Sequence, residues 1–150
     1  MLWSDIVIEN VSLDEKTIRY NGEPLRFQIP RGYSEYGLSE HKSITVQFDN
    51  ADFFQWYKRL ENHIAGNIEN FESNAGENTF RVKYVDGFTQ VFDTDNTYMM
   101  DGHHFTNCHM DILIDISSMY SPFKDFNKYG LVCRMYQVRV HETGCLFSID

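Results

Sequence analysis

The chain has 150 residues and a mass of 17.7 kDa, room for one ordinary domain with a real core and too little for two. Its 42% hydrophobic, 15% aromatic and 23% charged residues exclude disorder of the body, and no apolar run approaches the length of a membrane span. Thirteen Lys and Arg against twenty-two Asp and Glu leave a formal charge of −9, which excludes a simple basic coat on nucleic acid and confines any such site to a local patch.

Met1-Leu2-Trp3-Ser4-Asp5 has neither the basic start nor the apolar stretch of a secretion signal, so a soluble intracellular protein without a membrane partner is expected. Cys108, Cys133 and Cys145 are widely separated and form no CxxC pair, which predicts reduced thiols rather than a disulfide framework or a zinc ribbon. No period of twenty to fifty residues repeats, and residues 1–150 read as a single irregular domain.

Strands are predicted at residues 6–10, 17–20, 25–29, 43–48, 80–85, 88–93, 112–117 and 131–141, stretches rich in Val, Ile, Thr, Phe and Tyr. Residues 30–42 read as a long connection in which Arg31, Tyr33 and Tyr36 stand among Gly32, Gly37 and serines. In the following strand Ile44, Val46 and Phe48 alternate with polar residues, which buries one face and leaves the other wet. After Asp49-Asn50, Phe53, Trp56, Tyr57, Leu60 and Ile64 fall on one helical face, so a helix is predicted from about 51 to 63, ending at Ala65-Gly66. Residues 66–79, rich in Asn, Glu, Ser and Gly, read as a mobile surface loop.

The sharpest local signal is Phe80-Arg81-Val82-Lys83-Tyr84-Val85-Asp86-Gly87-Phe88-Thr89-Gln90-Val91-Phe92-Asp93. Asp-Gly between two β-rich runs predicts a two-residue hairpin, with Val85 opposite Phe88, Lys83 opposite Gln90, Arg81 opposite Phe92, Val82 opposite Val91 and Tyr84 opposite Thr89. One face is then apolar, and the other carries Arg81 and Lys83 with Phe88, Gln90 and Phe92. Rings beside cations are what a single-stranded nucleic acid requires, since bases stack on the rings and cations hold the phosphates. The same composition also fits rings packed under a loop or a subunit, with the cations solvated over them.

Residues 103–109 pack His103, His104, Cys108 and His109 near Asp101 and Asp111, a conceivable ligand set. With no second ligand pair elsewhere, a polar loop without metal is the expectation. In the last strand Leu131, Cys133 and Met135 hand over to Val138 and Val140, so the alternation slips at Tyr136-Gln137 and predicts a bulge. Around that bend Arg134, Tyr136, Gln137 and Arg139 become candidates for a polar face. The motifs of nucleophile elbows, phosphate loops, dinucleotide folds and metalloproteases are absent, and Asp86, Asp93 and Asp95 are explained by turns. A non-enzymatic protein without cofactor is expected.

Many strands, one principal helix and two long connections predict a mainly β fold, an OB-like antiparallel barrel whose closure removes exposed edges, with a β-sandwich as the alternative. Three passages carry a resemblance: Leu25-Arg26-Phe27-Gln28-Ile29-Pro30-Arg31-Gly32-Tyr33 through Tyr36-Gly37-Leu38-Ser39, the Tyr84-Val85-Asp86-Gly87-Phe88 turn, and Tyr129-Gly130-Leu131-Val132-Cys133-Arg134-Met135-Tyr136-Gln137-Val138. Together they resemble the OB-fold single-stranded-DNA-binding proteins of large nucleocytoplasmic DNA viruses and, more distantly, the phage proteins of that class. The resemblance implies that Arg26, Tyr33, Arg81, Lys83, Phe88, Phe92 and Arg134 lie on or near a DNA-binding groove. It also implies single-stranded DNA as partner, with replication proteins and a second copy of the chain as further ones. The phage proteins end in a strongly acidic tail that recruits partners, whereas residues 141–150 contain little acid, so recruitment through a tail is not expected. The rival reading is a virion-associated structural or assembly β protein. Cations converging with the rings on one strip favour binding, and scattered cations beside a flat apolar patch favour assembly.

Overall fold

The computed structural model describes residues 1–66, 71–99, 105–120 and 129–142. Its strands are β1 (Val11–Asp14), β2 (Thr17–Tyr20), β3 (Glu23–Gln28), β4 (Gly32–Tyr36), β5 (Ser43–Gln47), β6 (Thr79–Lys83), β7 (Gln90–Phe92), β8 (Tyr98–Met99), β9 (Thr106–Tyr120) and β10 (Gly130–Glu142), with one helix, α1 (Ala51–Ala65). Strands β4, β5, β6, β10 and β9 pair in a closed ring, because β9 and β10, neighbours along most of their length, also pair with β4 and β6. This is the OB-like barrel rather than the sandwich. It departs from a purely antiparallel ring where β10 runs parallel to β6 and to β7.

The period-two pattern puts Ile44, Val46, Phe80, Val82, Met110, Ile112, Ile114 and Ile116 inside, all essentially inaccessible. On β10 the inner set runs Leu131, Cys133, Met135, then Val138 and Val140, and the bulge between Met135 and Gln137 sits where the alternation slips. One end of the barrel is closed by α1. The Asn50 side chain accepts the Phe53 N–H at 3.0 Å, and Gly66 terminates the helix at φ 61°, where a side chain is disfavoured. Its buried face sets Phe53 and Tyr57 edge-on to Phe80 at 5.6 and 4.9 Å, and Trp56 edge-on to Phe27 at 5.1 Å. Among the described residues no helix is long and apolar enough to cross a membrane.

Four expectations are corrected. Residues 6–10 form no strand: Trp3–Asp5 and Ile8–Asn10 are single 3-10 turns, and the strand lies at Val11–Asp14, where Leu13 and Ile18 face each other across a hairpin with β2. The connection at 30–42 contains β4, because β9 extends past β3 and its free edge takes up Gly32–Tyr36. The segment 103–109 is in part strand: Thr106–His109 opens β9, with Cys108 buried and His109 exposed, so the two point to opposite faces. His103 and His104 lie outside the described residues, and among the described residues no His, Cys, Asp or Glu cluster of metal-binding geometry occurs.

The fourth correction is the Asp-Gly hairpin. A tight turn is there, with Val85 O accepting the N–H of Phe88 and of Thr89 at 3.0 and 2.9 Å, but beyond Val85 and Phe88 none of the predicted cross-strand pairs forms. The hairpin turn that matches strand twist needs positive φ at both central residues, and only Gly87 has it. Thr89 Oγ1 donates to Met135 O at 2.6 Å and draws the chain onto β10, which lies between β6 and β7 and satisfies the backbone of both.

Gly32 marks a close approach. A Cβ there would sit 2.9 Å from Val46 Cβ and 3.2 Å from a Phe48 ring carbon. Gly32→Ala is therefore expected to cost about 1–3 kcal/mol, the usual cost of overpacking, in urea unfolding. An unchanged midpoint would show that β4 backs away freely.

Candidate nucleic-acid interface

The outer face of the sheet presents side chains in register across neighbouring strands. Arg26 on β3, Asp115 on β9, Arg134 on β10 and Lys83 on β6 form one row. Two residues further along lie Gln28, Leu113, Gln137 and Gln90, and beyond them Asp111, Arg139, Phe92 and Tyr98.

In the first row Asp115, 2% exposed, accepts from Arg26 Nε at 2.8 Å through one oxygen and from both Nε and a terminal nitrogen of Arg134 at 3.3 and 2.8 Å through the other. A buried carboxylate is tolerated because both oxygens are paired. The anchored guanidinium groups lie on rings, Arg26 over Tyr136 at 4.0 Å and Arg134 over Phe88 at 4.1 Å, and the two rings meet at 5.4 Å. Tyr136 occupies the β10 bulge, which turns it onto this side. The result is a fixed alternation of cations and rings held by one buried anion.

Asp111 organises a second group, taking hydrogen bonds from Arg31 at 2.8 and 3.2 Å, from Arg139 at 2.8 and 3.0 Å, and contacting His141 Nε2 at 2.7 Å. Burial alone would raise its carboxyl, but the bonds to Arg31, His141 and Arg139 outweigh that and hold it well below the usual carboxylate range. Arg26 and Arg134 pair with Asp115, Arg31 and Arg139 with Asp111, and Lys83 stands in register with Arg134, so among the described residues these rows hold more cations than acids on an acidic chain.

Beside Lys83 the barrel wall opens. Strands β6 and β10 share one residue pair, Lys83 with Arg134. Away from it Asn74 fills the gap, its carbonyl accepting from Arg81 N at 2.9 Å and its side-chain amide donating to Leu131 O at 3.2 Å. A cleft of about 620 Å³ remains, lined by Ser43, Arg81 and Lys83 from β5 and β6, by Leu131 and Val132 from β10, and by one acid, Glu72. Arg81 and Lys83 are exposed and make no ion pair among the described residues.

Of the seven residues singled out in the sequence, Arg26, Lys83, Phe88 and Arg134 come together at the first row, and Arg81 lies two residues along β6 from Lys83 in the cleft. Phe92 is in the third row, edge-on to Tyr98 at 5.9 Å. Tyr33 stands apart on β4, 5.0 Å from the His109 ring, with its hydroxyl on Asn107. Sequence reasoning missed the anchoring roles of Asp111 and Asp115. The available signal was two acids four apart on an isoleucine-rich strand in mid-sheet, where a charge that becomes buried persists only if paired.

No family model and no curated protein matches the sequence. Solved structures do. The single-stranded-DNA-binding protein of bacteriophage Enc34, C-terminally truncated, superposes with a TM-score of 0.53 at 9% identity over 94% of this chain and 100% of that one. The same phage protein in complex with single-stranded DNA superposes with a TM-score of 0.51 at 8% identity over 91% of this chain and 96% of that one. What matches is the phage group, the more distant of the two resemblances carried by the sequence, and at these identities the likeness is one of fold: the chain has a fold distantly similar to that of a phage single-stranded-DNA-binding protein.

Proposed function

We propose that this protein binds single-stranded DNA non-covalently, with little sequence preference, and so protects exposed strands during replication, recombination or repair. The observation that carries the reading is the continuity of the cleft with the cation and ring cluster through the Lys83–Arg134 pair. Five-stranded OB barrels take oligonucleotides on the face of their second and third strands and the adjoining loops. In chain order the barrel strands are β4, β5, β6, β9 and β10, so that face is β5 and β6, the cationic wall of the cleft. The similar phage protein is itself seen with single-stranded DNA.

The chemistry needs no cofactor and no bond-making step. Arg81 and Lys83 are free to neutralise phosphates. Arg26 and Arg134, held over the Tyr136 and Phe88 rings, offer guanidinium groups on which bases stack. Asp115 holds those groups in place before the strand arrives, which lowers the ordering cost of binding.

Fluorescence anisotropy of a labelled oligothymidine is the test. Binding is expected at about 50 mM salt and should weaken as salt rises, with a log–log slope of about −0.7 per phosphate contacted. Replacing Arg81 and Lys83 together by Ala is expected to weaken binding by roughly ten-fold and to reduce that slope by about 1.4, two phosphates' worth. No binding of the wild-type protein at low salt would remove the proposal.

A further inference from the structure

The cleft and the first row leave one recess of the same surface without a role. It has a volume of about 250 Å³ and lies between β3, β9, β10 and the β7–β8 turn, one row beyond the ring cluster. Its lining combines Met1, Leu113 and Phe92 with Gln28, Gln137 and Asn96 and with the paired charges of Arg139 and Asp111.

The polar groups are arranged rather than loose. Arg139 is held on three sides, by Asp111 through Nε and one terminal nitrogen at 3.0 and 2.8 Å, and by Asn96 Oδ1 through the other at 3.1 Å. That bond commits the Asn96 oxygen and leaves its two N–H donors open. Gln137 gives one N–H to Gln90 Oε1 at 3.0 Å, which leaves its own oxygen as an open acceptor. A fixed donor and a fixed acceptor beside an apolar surface complement the polar edge of a planar heterocycle. Arg31, with 55% of its side chain exposed, stands on the far side of Asp111 and supplies a cation for an adjoining phosphate.

We infer that this recess holds a single unstacked nucleobase of the bound strand, its edge on the amides of Gln137 and Asn96, its face against Phe92, and its phosphate near Arg31. The inference rests on the proposed strand binding and extends it. The strand leaves the cleft, crosses the Lys83–Arg134 row and places a base one row further along β10. Gln137 follows Tyr136 directly in the chain, so the ring cluster and the recess are neighbouring stations on one path. It also accounts for Phe92, which the fold sets apart from the Phe88 and Tyr136 rings and places edge-on to Tyr98.

The recess makes a demand that the cleft does not. Amides at a base edge read which base is present, whereas phosphate contacts do not. The test compares anisotropy titrations of equal-length oligothymidine, oligodeoxycytidine and oligodeoxyadenosine against wild type and the variants Gln137→Ala, Phe92→Ala and Leu113→Phe, each shown to be folded by its thermal transition. Gln137→Ala is expected to change the affinity ratios among the three strands by three-fold or more. Phe92→Ala and the space-filling Leu113→Phe are expected to weaken binding about ten-fold, the loss of one stacked base. Arg81→Ala, in the cleft, should lower all three affinities by the same factor. If wild type binds and all three recess variants stay within two-fold of it on every strand, the recess holds no base while the cleft reading stands. If wild type binds no strand, the broader reading fails first.

Discussion

Removing the Asp115 carboxylate is expected to destabilise the protein by about 3 kcal/mol, far more than removing either arginine that it holds. Its side chain is 3% exposed, against 35% for Arg26 and 28% for Arg134, so it depends on its partners more than they depend on it. Losing one member of a buried pair typically costs about 3–5 kcal/mol, and partial exposure of the arginines places Asp115→Asn at the lower end. Arg26→Met or Arg134→Met alone should cost about 1 kcal/mol, because Asp115 keeps the other cation. The double variant strands a buried carboxylate, and its cost should exceed the sum of the singles by about 1–2 kcal/mol. Urea unfolding of the four proteins reads the coupling. Additive losses would mean that water reaches Asp115 when one arginine leaves, and that the cluster is looser than its geometry.

The second large effect is a dependence of stability on pH set by Glu61. This residue lies on the buried side of α1, 6% exposed, with one oxygen accepting from Ser73 Oγ at 2.8 Å and the other without a partner among the described residues. Burial pushes its carboxyl up to about 7, against an ordinary 4.5, more than the bonds from Ser73 and the Asn74 backbone and the nearby Lys58 pull it down. The folded protein therefore holds a proton that the unfolded chain has released between about pH 4.5 and 7. Stability falls as pH rises through that window and stays lower above it, by roughly 3 kcal/mol. Glu61→Gln keeps an acceptor for Ser73 and carries no charge, so it is expected to flatten the window and to be the more stable protein at pH 8. Asp111 does not obscure the result. Its carboxyl is held below the ordinary range, so its contribution is present at these pH values and is lost only in stronger acid. Parallel pH profiles for variant and wild type in urea unfolding would show that Glu61 stays ionised in the fold.

Legibility differed between elements for a definite reason. The helix was readable because its five core residues, its Asn50 cap and its Gly66 stop act within a few residues of one another. The bulge in β10 was readable because a change of inward parity from Met135 to Val138 requires an extra residue whatever the neighbours are. Strand β4 was not, since Gly32, Ser34 and Glu35 have little intrinsic preference for extended structure and are held there by the edge of β9. The outward direction of Arg81, Lys83 and Phe92 was foreseen correctly from a pairing that these strands do not make. Parity along each strand survives when the partner changes: β6 lies between β5 and β10, and β7 lies beside β10.

The candidate site divides the same way. The residue types, and the side of the sheet they point to, follow from alternation along each strand. The meeting of Arg26 with Tyr136 and of Arg134 with Phe88 brings side chains from distant parts of the chain onto one buried carboxylate. By itself the sequence determined the local features: which segments extend or coil, where they stop, and which side of each is apolar. Only the tertiary structure decided which strand lies beside which. Backbone hydrogen-bonding groups are nearly identical at every residue, so pairing is chosen by total burial and loop closure across the whole barrel, and no short stretch of residues carries that information.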